Sequence, residues 1–282
     1  MKNIIFLLTI VLLSIMQTNC YANDKNLKNE LTKQSLKELY QPNLLYPSNS
    51  IKIQLLTDDK ISSFKNKEVT FRLLQTVDNL PISINSIEPI HGPRLHAYLI
   101  NNSFTDYHHL YPVPLTSKDQ LYFSFVPKTN EPYNLWITMK VISTKQEEYV
   151  YQKLNTNSTN YNDPSNNETL LANAGDYSFK LLFSEPLRIG HLINGKVIIH
   201  KQNNIYKSPK LTKINYELLN IIGFYYKQNS IFHLHTTNFI NSTTEQTWNF
   251  QWVPEYQDIV KMFFEFKIHD QTFKIPFTIS IK

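Results

Sequence analysis

The chain carries one pattern twice, and this limits its architecture more than any figure of composition. Phe123-Ser124-Phe125-Val126-Pro127 recurs as Phe250-Gln251-Trp252-Val253-Pro254, and Leu135-Trp136-Ile137-Thr138-Met139-Lys140-Val141 recurs as Met262-Phe263-Phe264-Glu265-Phe266-Lys267-Ile268, both at a spacing of 127 residues. Upstream, His109-Leu110 matches His233-Leu234 at 124 and Val69-Thr70-Phe71 matches Val197-Ile198-Ile199 at 128. Small loop insertions separate blocks that keep their order, as expected of one duplicated ancestral domain. Each copy is about 100 residues, a usual domain size, and so long a period implies paired domains rather than a solenoid.

The repeated unit has the periodicity of strands. Met262, Phe264, Phe266 and Ile268 alternate with Phe263, Glu265 and Lys267, and Phe273, Ile275, Phe277, Ile279 and Ile281 alternate with Lys274, Pro276, Thr278, Ser280 and Lys282. Alternation puts one set of side chains on a core face and the other outside. Several such runs per copy, divided by Asn, Ser, Asp and Pro clusters, predict an all-β chain of two tandem immunoglobulin-like antiparallel β-sandwich domains from an internal duplication. The expected repeats span 51–151 and 176–282, joined by an Asn-rich linker at 152–175. Leu135, Ile137, Met139 and Val141 should be buried like their counterparts Met262, Phe264, Phe266 and Ile268. Pro276 places the last strand at an edge or a bulge.

Residues 1–22 read as a signal peptide: Lys2 supplies the charge, Ile4 to Met16 the apolar stretch, and Cys20-Tyr21-Ala22 a site for cleavage after Ala22. The alternative is a lipoprotein acylated at Cys20, but Gln17-Thr18-Asn19 matches poorly the small apolar residues that precede such cysteines. Periplasmic or secreted placement follows. Cys20 is the only cysteine, so a chain cut after Ala22 has neither disulfide nor thiolate ligand. Residues 23–50, with Leu27, Leu31, Leu36 and Leu39, read as a tether or short helix. No later apolar run reaches the length of a membrane-spanning helix. The formal charge of +5 is spread without any block of Lys and Arg, which argues against nucleic acid as a partner.

Six of nine histidines fall in two places: His91, His96, His108 and His109 in the first copy, His233 and His235 in the second. His-x-His on a strand directs both imidazoles to one face, with Cα atoms roughly 6.5 to 7 Å apart, so that a third ligand completes a site for copper or zinc. His91, His96, His109, His233 and His235 are therefore the candidate metal ligands. The alternative is that they hydrogen-bond within the fold. His191, His200 and His269 look structural.

These same residues resemble a motif in exported bacterial proteins with duplicated immunoglobulin-like sandwich domains: His91-x4-His96, a hydrophobic run, then Asp106-Tyr107-His108-His109-Leu110-Tyr111-Pro112, corresponding to a His-x-His-Pro-like segment. The ending, Val253-Pro254 followed by a strand and Phe273-Lys274-Ile275-Pro276-Phe277, is similar to that family's closing hairpin. The resemblance covers roughly 51–282 and implies an association with copper or other heavy metals. The chain departs from the motif at Tyr111, where the second His belongs, and at Thr236, where the Pro belongs; the second copy has Asn220 in place of His96.

With five glycines the chain has no phosphate-binding loop, dinucleotide fingerprint or Gly-x-Ser-x-Gly elbow. Asp106 and His109 are placed to orient one another as in a triad, yet no nucleophile accompanies them, and the expected function is non-catalytic. Trp136 and Phe263 occupy one repeat position on the face away from the core. They form either the interface between copies or a binding patch for an envelope protein or glycan. The expectation is thus an envelope binding protein: a histidine-mediated divalent metal binder or, alternatively, an interaction module whose histidines are structural.

Overall fold

The computed structural model describes residues 45–90, 92–117, 119–156, 163–165, 167–201, 211–212, 219–241, 245–268 and 271–282. The signal segment, most of the 23–50 tether, His91 and His269 lie outside these residues. Among the described residues the only helical element is the 3-10 turn Ile84–Ser86. The strands of the first half are β1 (Tyr46–Pro47), β2 (Ile51–Leu55), β3 (Lys67–Gln75), β4 (Ile87–Glu88), β5 (Leu95–Asn101), β6 (Tyr107–Leu110), β7 (Val113–Pro114), β8 (Leu121–Phe125), β9 (Tyr133–Val141) and β10 (Glu147–Leu154). Those of the second are β11 (Leu171–Ala174), β12 (Tyr177–Phe183), β13 (Ile193–Lys201), β14 (Leu211–Thr212), β15 (Asn220–Tyr225), β16 (Ser230–Leu234), β17 (Thr236–Asn241), β18 (Glu245–Trp252), β19 (Ile259–Ile268) and β20 (Gln271–Ser280).

Four sheets result. β2-β3-β8-β7 faces β1-β10-β9-β5-β6, and β4 also pairs with β9. In the second half β11-β12-β13-β18-β17 faces β20-β19-β15-β16, and β14 also pairs with β19. Both halves are β-sandwiches of immunoglobulin-like strand order. Alternation fixes which side chains go inward. On β13, Ile193, Val197 and Ile199 are buried while Asn194 and Lys196 are exposed. The first core joins Val69, Phe71 and Leu73 to Leu95, Ala97, Leu99, Leu135, Ile137 and Met139. The second joins Phe179, Leu181, Val197 and Ile199 to Met262, Phe264, Phe266 and Ile268. Pro276 lies on β20, which pairs with β19 along its length and on its other side makes an isolated bridge from Thr278 to Thr169.

A third cluster lies between the sandwiches. Tyr98, Ile100, Phe104, Tyr107, Trp136 and Tyr149 pack against Ile222, Phe224, Ile231 and Phe263. The two middle sheets are therefore covered on both faces, and all residues of β5 and of β15 are buried. A strand covered on both sides reads as a continuous apolar run, as Ala97-Tyr98-Leu99-Ile100 and Ile221-Ile222-Gly223-Phe224 do. Gly223 is required inside β15 by its cross-strand partner: a Cβ there would lie 2.0 Å from Cζ of Phe232.

The connection between the halves is shorter than its composition implied. β10 continues to Leu154, and β11 occupies Leu171–Ala174 because Ala172 and Ala174 pack on the second core. Likewise Leu45 enters the third cluster and β1 pairs in parallel with Glu148 and Tyr149, so the end of the expected tether belongs to the fold.

Candidate functional site

His109 reaches across the joint. On β6 it stands opposite Tyr98, on the sheet face that meets the second sandwich. Its Nδ1 is 2.6 Å from Oε2 of Glu265, 156 residues away on β19, and the side chains are 5% and 3% exposed. Its Nε2 is 2.9 Å from Nδ1 of His96, whose Nε2 is 3.0 Å from the carbonyl of Ile90. A carbonyl only accepts, so His96 donates from Nε2. One proton lies between His96 Nδ1 and His109 Nε2, and His109 donates from Nδ1 to the carboxylate. The chain of hydrogen bonds therefore places one positive charge on the two imidazoles together, beside an anionic Glu265.

The surroundings hold that charge state. Asn220 Nδ2 donates to Glu265 Oε2 at 2.7 Å, and Lys274 Nζ is 3.6 Å from Oε1. Burial by itself raises the pKa of Glu265. The electrostatic attraction of His109 and its hydrogen bond, followed by Lys274 and Asn220, outweigh this and hold the carboxyl down at about 2. The rings of Tyr98 and His109 stack at 4.4 Å, and Tyr111 packs edge-on against both His96 and His109. Space beside the imidazoles is filled by aromatic rings.

The other candidates fall elsewhere. His233 pairs with Ile222 on β15, which pairs with Phe263 on β19, so the sheet register gives it the place in its half that His109 has in the first. Its neighbour His235 lies with ring centroids 4.5 Å away. Glu265 is two strands and two residues from His233, roughly 12 Å by strand geometry, too far for a common ligand sphere. Among the described residues no three His, Cys, Asp or Glu side chains are arranged to hold a metal ion. The expected set His96, His109, His233 and His235 is thus divided between two places, because the middle sheets meet face to face with their histidine-bearing strands on different partners. His91 lies outside the described residues.

Trp136 and Phe263 are not a surface patch. They are 1% and 5% exposed, buried because each sandwich's outer apolar face covers the other's. Tyr107 stacks on Phe263 with centroids 4.0 Å apart, while Trp136 Nε1 donates to the carbonyl of Asn229 at 3.1 Å. The β5–β6 hairpin of the first half therefore lies on β19, and the β15–β16 hairpin of the second on β9. Equivalent elements exchange roles, as in a two-fold interface.

Asp106 pairs with His108, not His109. His108 Nε2 is 3.0 Å from Asp106 Oδ2, which also accepts from the Lys128 backbone N–H at 2.8 Å and from the Tyr133 hydroxyl. Burial raises the Asp106 pKa, and the bonds to His108, Tyr133 and Lys128 overcome this and lower it to about 2. The reason is alternation: adjacent residues on β6 point to opposite faces, His108 toward Phe125 in the first core and His109 toward the joint. Glu265 and Asn220, which complete the His109 network, were absent from the sequence-based candidates. The available signal was a lone carboxylate on the second face of an otherwise apolar strand, Met262 to Phe266.

No family model matches the chain, and no curated protein matches it. Among solved structures it is similar to red sea bream transglutaminase, at 7% identity over 83% of this chain and 32% of that one, with a TM-score of 0.26. It is also similar to a D1–D4 ectodomain fragment of ICAM-5, at 6% identity over 82% of this chain and 53% of that one, with a TM-score of 0.25. The chain spans about a third and about half of these two. Likenesses of this size carry no functional argument.

Proposed function

We propose that the chain is an exported, non-catalytic binding protein of the bacterial cell envelope, built from two immunoglobulin-like sandwiches related by internal duplication, whose histidines are structural. The observation that carries this reading is the buried His96–His109–Glu265 chain. The residues best suited to chemistry are engaged with one another, across the joint, and are closed off by tyrosines. Duplication is supported by the shared strand order and by the equivalent registers of His109 and His233. Export is supported by the pattern of residues 1–22, and no helix among the described residues is long and apolar enough to cross a membrane. The joint covers the outer faces of the middle sheets. Partners are left with the outer faces of the β2-β3-β8-β7 and β11-β12-β13-β18-β17 sheets and with the loops.

Titration calorimetry of the exported protein with Cu(II) and Zn(II) tests the assignment of the histidines. The expected result is no stoichiometric site that depends on His233 and His235. A tight site in the wild type that disappears in a His233→Ala, His235→Ala variant overturns it in favour of metal binding. Retention of the chain in the cytoplasm with residues 1–22 intact overturns the envelope assignment.

A further inference from the structure

Beside the joint, and apart from its histidines, the two sandwiches flank an open-sided pocket of about 340 Å³. Its wall on the first half is the β5–β6 turn and the loop before β9, which contribute the hydroxyls of Ser103 and Thr105 and the carboxylate of Glu131. Lys261 of β19 and Thr278 of β20 form the wall on the second half, and Asp163 of the connection lies alongside. The first wall is built rather than loose. Asn101 accepts at Oδ1 from the backbone N–H groups of Thr105 and Asp106, and Glu131 Oε2 accepts from the Ser103 N–H and Asn101 Nδ2, each at 2.8 or 2.9 Å. Asp163 is held by the Tyr226 hydroxyl, 2.6 Å from Oδ1.

The charges of this pocket do not satisfy one another. Lys261 Nζ donates to Thr278 Oγ1 at 2.9 Å, and among the described residues no carboxylate lies within ion-pair distance of it. Burial lowers its pKa with nothing to oppose that. A part-buried ammonium without an anion is favoured by a ligand that brings one. A simple anion would also have to approach Glu131 and Asp163, and a simple cation would leave Lys261 unmatched. Only a molecule with both charges meets both walls. A volume near the lower end of the roughly 300–1,000 Å³ usual for ligand sites, at the junction of two packed units, suits a small one.

We propose that this pocket binds a small zwitterion, a free α-amino acid or dipeptide, with the ligand carboxylate on Lys261 and Thr278 and its ammonium on Glu131 and Asp163. The proposal does not rest on the histidines, and metal titration does not bear on it. Calorimetry with alanine and with alanyl-alanine, beside N-acetylalanine and alanine amide, tests it and shows which zwitterion length fits. The expected result is saturable binding of at least one zwitterion, weakened about tenfold or more when either charge is blocked. Lys261→Met should abolish that binding and Asp163→Asn should weaken it, with the thermal midpoint as the check on folding. Asp163→Asn and the blocked ligands keep the test decisive where Lys261→Met unfolds the chain. No binding of either zwitterion to the wild type, or equal binding of the blocked compounds, overturns the proposal.

Discussion

Replacing Glu265 by Gln removes the anion from the buried pair while keeping the side chain's size and an acceptor for His109. The carboxyl is held at about 2 against an ordinary 4.5. At about 1.4 kcal/mol for each tenfold change in proton affinity, this contributes about 3 kcal/mol of folding free energy at neutral pH. Its side chain is 3% exposed, so water screens the interaction little. Loss of one member of a buried pair costs about 3–5 kcal/mol in other proteins, which agrees. Because the folded pKa is depressed, the stabilisation is complete above the unfolded value of about 4.5 and disappears as pH falls toward 2. The wild type should therefore exceed Glu265→Gln by about 3 kcal/mol at pH 7 and by about 1 kcal/mol at pH 3. Urea unfolding at both pH values measures this, with Trp136 as the reporter inside the joint and Trp248 and Trp252 in the second core. A variant within about 0.5 kcal/mol of wild type at pH 7, or a difference unchanged at pH 3, would refute the charge assignment.

Two further changes probe the packing of the joint and of its sheets. Trp136→Ala should lower stability by about 3–5 kcal/mol, as large aromatic truncations do, whereas Trp136→Phe, which mainly loses the bond to the Asn229 carbonyl, should cost about 1 kcal/mol; denaturant midpoints distinguish the two. Gly223→Ala should cost about 1–3 kcal/mol by overpacking, since the added methyl meets the Phe232 ring at 2.0 Å, and Phe232→Leu in the same chain should recover part of that loss in thermal melts.

The strands were legible because period two is a backbone property that the sequence displays directly. Leu135, Ile137 and Met139 are buried, as are Met262, Phe264, Phe266 and Ile268, while Val141 packs partly buried at the end of its strand. The layer between the sandwiches was harder to see. Alternation places Trp136 and Phe263 together on the second face of their strands, but it does not say whether water, a partner or another sheet covers that face. The run of seven buried residues in β5 carries the missing information: a strand with one wet face does not read His-Ala-Tyr-Leu-Ile. The shorter connection was hidden for a related reason. Leu171-Ala172-Asn173-Ala174 is short and has no β-branched or aromatic residue to announce a strand, and it becomes one through β12 and the two alanines beneath it.

Spacing alone also misplaced the histidines. His109 and His233 do share a register position, as their alignment implied, yet equivalent positions in two copies come together only if the copies meet at that point. Here the sheets meet so that each half presents its β6-like strand to the other half's β9-like strand, and an equivalent residue then faces a non-equivalent one. His109 meets Glu265, whose counterpart in the first half is Thr138. An imidazole placed opposite a carboxylate in a dry interface makes a charge-assisted hydrogen bond, whereas the same imidazole opposite another would be open to a metal. The substitution that separates these outcomes is the acid on β19, and a pattern search confined to histidines passes over it.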